Sequence, residues 1–179
     1  GGGYVQHNLV SDGFVPADHS DANLVNAWGV AFNPNGFVWV ADNHSGVSTL
    51  YDGLGNPQSL VVTIPPAGKS GTGSPTGIVF NSSNDFAVGN GTTTGPSRFL
   101  FATEDGLIAG WAPNVDGTHA LQAVATPNAI YKGLALAANG AGNFLYATDF
   151  HNRRIDVFDR TFTPVSMPGG FKDPRIPPG

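Results

Sequence analysis

Apolar residues in this chain come in short bursts separated by turn-forming residues, and the bursts recur in a fixed order. Three segments hold a glycine inside an apolar run: Trp28-Gly29-Val30-Ala31-Phe32, Thr76-Gly77-Ile78-Val79-Phe80 and Lys132-Gly133-Leu134-Ala135-Leu136. Each is followed by a denser run ending in small and acidic residues: Val38-Trp39-Val40-Ala41-Asp42, Leu100-Phe101-Ala102-Thr103-Glu104 and Leu145-Tyr146-Ala147-Thr148-Asp149. A turn then leads into an alternating segment that carries an aromatic residue: Ser48-Thr49-Leu50-Tyr51, Ile108-Ala109-Gly110-Trp111 and Ile155-Asp156-Val157-Phe158. Ala41 stands 10 residues before Tyr51, Ala102 stands 9 before Trp111, and Ala147 stands 11 before Phe158, so the three segments share one plan. A fourth, less regular strand follows at 59–64, 120–125 and 162–165.

Four strands in roughly 40–50 residues is the arithmetic of a β-propeller blade. The expected fold class is therefore all-β, a propeller with four-stranded blades; a β-sandwich is the competing architecture. The glycine-bearing strand belongs innermost, where blades crowd the axis. The second strand belongs between neighbouring blades, and the third and fourth should alternate toward the rim. Blade 1 is expected over 26–64, blade 2 over 75–125 and blade 3 over 130–166, with 1–12 as a spare seam strand and 167–179 as a connector to a missing blade. Three blades amount to about half of a six-blade ring. Two exposed faces then follow, to be covered by the remaining blades of a longer chain or by a second copy in a homodimer that closes the ring. The insertion at 84–97 offers an extra edge strand at Asp85-Phe86-Ala87-Val88, and the stretch 65–76 reads as a surface loop.

Composition explains the turns and narrows the partners. Gly 25, Pro 14 and 15 Asn supply blade turns rather than helices. Only 12% of residues are charged and the net charge is -5. Residues 1–152 carry 3 Lys/Arg against 10 Asp/Glu, which gives nucleic acid little to bind. The absence of Cys excludes disulfides and thiolate metal sites and is compatible with an extracytoplasmic setting. No apolar run approaches the roughly 20 residues of a membrane span.

Candidate chemistry gathers on one face. In a propeller the loops joining second to third strands lie together near the axis, which would assemble Asp42-Asn43-His44, Glu104-Asp105 and Asp149-Phe150-His151-Asn152. Asp42, Asn43, Glu104, Asp105, Asp149 and Asn152 are the candidate ligand-binding residues. Within that set Asp42, Glu104 and Asp149 are candidate ligands for a hard cation such as Ca²⁺. His44 and His151, which titrate near neutrality, are candidate general bases. Turn chemistry is the alternative for all of these, because Asp and Asn bond their own backbone. Gly68-Lys69-Ser70 is no phosphate loop, since Thr63 stands where the leading glycine belongs, and there is no Gly-x-Ser-x-Gly elbow. Trp28, Trp39 and Trp111 read as packing residues, with Trp111 the best placed for sugar stacking.

Asn8-Leu9-Val10-Ser11-Asp12, Asn26-Ala27-Trp28-Gly29, Ser59-Leu60-Val61-Val62-Thr63-Ile64-Pro65, Gly73-Ser74-Pro75-Thr76-Gly77-Ile78-Val79-Phe80-Asn81 and Phe101-Ala102-Thr103-Glu104-Asp105-Gly106 carry a resemblance over essentially the whole chain. As a set they resemble a bacterial family of uncharacterised exported proteins with NHL-like propeller repeats, some bearing a C-terminal sorting tail. That resemblance implies a propeller and an extracytoplasmic location, and it transfers no catalytic residue. The functional expectation is a non-enzymatic exported binding or scaffold protein. The alternatives are a metal-assisted hydrolase or lactonase acting at the axial face, and a structural subunit of an extracellular assembly.

Overall fold

The computed structural model describes residues 2–68, 70–167 and Arg175, and its regular structure is β-strand throughout. A short parallel pair, β1 (Val10–Ser11) and β2 (His19–Ser20), precedes three antiparallel four-stranded sheets. The first sheet takes β3 (Ala27–Phe32), β4 (Val38–Asp42), β5 (Val47–Tyr51) and β6 (Pro57–Thr63) in chain order. The second opens with β7 (Pro75–Phe80), departs into a separate hairpin of β8 (Ala87–Gly89) and β9 (Thr94–Pro96), and resumes with β10 (Phe99–Thr103), β11 (Leu107–Trp111) and β12 (Leu121–Ala125). The third holds β13 (Tyr131–Asn139), β14 (Gly142–Asp149), β15 (Arg154–Phe158) and β16 (Pro164–Val165).

The sheets stack face to face like blades, with the second between the other two. One core, between the first and second sheets, is rich in aromatics: Trp39 stacks on Phe99 at 4.0 Å between ring centroids and meets Trp111 at 4.7 Å. The other, between the second and third, gathers Phe86, Tyr131, Phe158 and Phe162 around Leu100, Ile108, Leu145 and Ala147. Every residue of β10 and β11 is therefore buried.

The recurring glycine sits where two innermost strands touch. A Cβ on Gly29 would stand 2.4 Å from the Thr76 carbonyl oxygen, and one on Gly77 would stand 2.6 Å from the backbone nitrogen of Leu134. Only a residue without a side chain permits that approach. Gly133 holds the same place in the third sheet, yet among the described residues the one atom within 4 Å of its Cβ position is Thr148 Oγ1 of its own sheet, at 3.0 Å.

Several details differ from the sequence expectation. β5 and β11 do not alternate, because both of their faces are covered. For β5 part of the cover is the N-terminal segment: Tyr51 donates to Asp21 Oδ2 at 2.8 Å, and Leu9 lies over Gly55. Residues 4–9 form no strand, and Val10–Ser11 pairs with His19–Ser20 rather than with a blade. The extra edge strand at 85–88 becomes the β8–β9 hairpin, which sends Phe86 and Val88 into the second core. The connector expected over 167–179 lies outside the described residues except for Met167 and Arg175.

Register changes one alignment. Ala41 pairs with Gly29, whereas Gly133 pairs with Thr148 and Ala147 pairs with Leu134. The third-sheet counterpart of Ala41 is thus Thr148, and Ala147 faces the opposite side. A shift of one residue in a strand exchanges its two faces. By the same register Asp42, Thr103 and Asp149 are counterparts, pairing with Ala27, Pro75 and Tyr131.

Candidate functional site

The innermost strands begin at one end of the stack with Trp28, Thr76 and Lys132 in equivalent positions. Thr76 is buried and donates to the Tyr131 carbonyl at 2.8 Å, tying the second sheet to the third. Its neighbours stay accessible. The Lys132 ammonium bonds Glu104 Oε1 and lies 4.7 Å from the centroid of the Trp28 ring, within cation–π range. Glu104 Oε2 accepts from Asn43 Nδ2 at 3.2 Å, and Asn43 Oδ1 accepts from Asn26 Nδ2 at 3.0 Å. A continuous chain, Asn26–Asn43–Glu104–Lys132–Trp28, thus crosses all three sheets. Lys132, with Asn43 adding to it, holds the Glu104 carboxyl below its usual range, so it is ionised near neutrality. Trp28 keeps 44% of its surface exposed. An aromatic face, a cation, a carboxylate and two amides make a surface suited to recognising a polar ligand.

Of the residues expected from sequence, only Asn43 and Glu104 meet in this way. Asp105 instead accepts from the Ala67 backbone N–H at 2.7 Å and from the Thr103 hydroxyl, which pins the 65–76 loop. Asp149 accepts from the backbone N–H of Asn152 at 3.1 Å and from its side-chain amide at 2.6 Å, closing its own turn. Asn152 also donates to the Asn128 carbonyl at 3.1 Å. His44 and His151 are exposed at the turn tips. The metal set Asp42, Glu104 and Asp149 does not converge, and among the described residues no three His, Cys, Asp or Glu side chains do. Register is the reason: Asp42 and Asp149 end their strands buried, whereas Glu104 lies one position further on, in the turn.

Asp42 has its own chemistry. It is fully buried, Oδ1 has no hydrogen-bond partner among the described residues, and Oδ2 accepts from Thr49 Oγ1 at 2.7 Å. Thr49 Oγ1 lies 2.9 Å from the Tyr51 hydroxyl, which reaches Asp21 Oδ2 at 2.8 Å. Burial pushes the Asp42 carboxyl up to about 7, with the hydrogen bond from Thr49 opposing the effect and the negative charge of Asp21 adding to it.

Sequence reading missed Lys132, Trp28 and Asn26. The available signal was positional: Trp28 and Lys132 each precede the recurring glycine, at the mouth of the innermost strand. Trp111, the sugar-stacking candidate, is buried instead and donates its indole N–H to the Gly117 carbonyl at 3.1 Å.

Comparison with known proteins supports this architecture. An NHL repeat model matches residues 24–47. Two uncharacterized proteins of Acanthamoeba polyphaga mimivirus are 35% and 32% identical to this chain over 158 residues, which is 86% of the chain in each case. The chain spans 41% and 38% of the lengths of those relatives. Among solved structures, virginiamycin B lyase from Staphylococcus aureus superposes with a TM-score of 0.52 at 16% identity, covering 79% of this chain and 41% of that one. The fold is thus a β-propeller arrangement carrying an NHL repeat. The relatives named here are viral, whereas the resemblance had pointed to bacteria.

Proposed function

We propose that this chain is a section of a non-enzymatic β-propeller scaffold and binding module. Its open sheet faces are taken up by further sheets of the same repeat in a longer polypeptide, and its axial mouth receives a polar ligand. The observation that carries the reading is Gly133. Its counterparts Gly29 and Gly77 each admit the next sheet's innermost strand, while among the described residues no other sheet lies over Gly133. The far side of the stack matches: Val30 and Phe32 are 63% and 62% exposed, although their counterparts Ile78 and Phe80 pack into the first core. The fraction of the viral relatives that the chain spans supports the longer polypeptide. An extracytoplasmic setting, bacterial in the original resemblance, belongs to the same proposal, supported by the cysteine-free composition. A lyase on a similar fold indicates that the architecture can host catalysis, but a likeness at 16% identity extends to fold alone.

Native mass spectrometry of the 179-residue chain tests the reading. Open faces of this kind should drive self-association, relieved when Val30 and Phe32 are both replaced by Ser. A well-folded monomer of 18.5 kDa overturns the proposal, and a discrete dimer transfers the covering role to a second copy. Stoichiometric Ca²⁺ retained through dialysis would favour a metal-assisted activity instead.

A further inference from the structure

At the end of the stack opposite the axial turns, a cleft of about 590 Å³ opens between the first and second sheets. This size falls within the ordinary range for small-molecule sites. Its walls are the aromatic cluster that joins the two sheets, Trp39, Phe80, Phe99 and Trp111, with Phe37 beside it in the lining. Phe37 is exposed and Phe80 partly so, which leaves ring surface facing the opening. Arg98 stands at the edge of this apolar surface. Its guanidinium donates to the Ser83 carbonyl at 2.9 Å, the Asn81 carbonyl at 3.4 Å and the Asn84 side-chain oxygen at 3.5 Å, and among the described residues it has no carboxylate partner. The only other described Lys or Arg before residue 152 is Lys132, which is paired with Glu104. In a chain of net charge -5, a half-buried cation with no counter-ion among the described residues, beside exposed aromatic rings, is a specific arrangement.

We propose that this cleft binds a small aromatic carboxylate, its ring held against Phe37 and Phe80 and its carboxylate on Arg98. The apolar walls account for the ring, and the guanidinium fork matches a carboxylate in geometry as well as charge. Because the cleft lies at the other end of the stack from the Glu104–Lys132 pair, the two sites are independent.

The probe is 2-naphthoate, with 2-naphthamide as its uncharged counterpart, titrated into the isotopically labelled chain and followed by the indole N–H signals. The chain has three tryptophans, of which Trp39 and Trp111 line the cleft and Trp28 does not. The Trp39, Trp111 and Arg98 Nε–H signals should shift together and saturate while Trp28 stays still. The amide should bind about tenfold more weakly, as the loss of a charge-assisted hydrogen bond predicts. Arg98→Gln should bring acid and amide to equal affinity, and Arg98→Lys should restore part of the difference. The proposal fails if acid and amide bind the unaltered chain alike, if the Trp28 signal moves in place of the other two, or if nothing shifts up to the solubility limit. The acid–amide comparison on the unaltered chain decides the matter even where Arg98→Gln loosens the 81–84 turn.

Discussion

The second and third sheets are built on one plan but live in different surroundings. In the second, β10 and β11 are buried along their whole length, and Gly77 is pressed against Leu134. In the third, β13 is largely exposed toward its far end, and among the described residues Gly133 meets only its own Thr148. The repeat therefore encodes a sheet that expects a neighbour on each side, and burial depends on whether the neighbour is present. The first sheet repeats the lesson with the opposite face, where Val30 and Phe32 lie exposed at positions whose counterparts pack.

The comparison is tested first by truncation. Phe101→Ala in the middle sheet should cost about 3–5 kcal/mol in urea denaturation, because a fully buried ring leaves a cavity. Phe32→Ala on the open face should stay within about 0.5 kcal/mol at concentrations too low for the chain to self-associate. Equal losses would mean that the first sheet's outer face is covered in solution.

Next comes the position shared by Asp42, Thr103 and Asp149. Thr103 is neutral and Asp149 is satisfied by its own turn, which leaves Asp42 as the buried acid with one oxygen unpartnered among the described residues. The folded chain keeps the Asp42 proton to about pH 7, whereas an unfolded aspartate loses it near 3.8. Between those values the folded state binds more protons, so stability falls as pH rises, by an amount on the order of a few kcal/mol, and levels off above about 7. Asp42→Asn should remove that slope in denaturation curves collected across the range. The depressed carboxyls of Asp52, Glu104, Asp116 and Asp159 act in the opposite sense, costing stability only as pH falls below their ordinary values. A slope unchanged in Asp42→Asn would assign it to other groups.

Smaller effects should follow from the glycines. Gly77→Ala drives a methyl group into the Leu134 backbone and should cost about 1–3 kcal/mol, while Gly133→Ala should be close to neutral. If Gly133→Ala proves as costly as Gly77→Ala in the chain alone, a second copy already covers that face. Smallest of all, Glu104→Gln should lower thermal stability by the equivalent of under about 1 kcal/mol, because the pair with Lys132 is partly solvated. Loss of that pair should also shift Trp28 emission, since the ammonium beside its ring is no longer held in place.

The blade plan was legible because strand alternation and turn residues are local properties, and the glycine recurrence marked the innermost strands. Candidate chemistry was less legible. Asp42, Glu104 and Asp149 look alike in the linear repeat, yet bulges in the β3–β4, β7–β10 and β13–β14 pairings decide which side chain turns inward. Lys132 carried no motif and became part of the mouth only when three sheets brought Trp28 and Glu104 to it.

The sequence by itself determined an all-β chain of repeated four-stranded units, their glycine-bearing inner strands, and an acidic surface, because these follow from residue type and short-range spacing. Tertiary structure decided which face each strand buries, that the Asp42 carboxyl is sealed away, and that Arg98 comes to line the cleft beside the aromatic rings. Those outcomes depend on the register between strands and on the neighbour across each sheet, and neither is a local property of the chain.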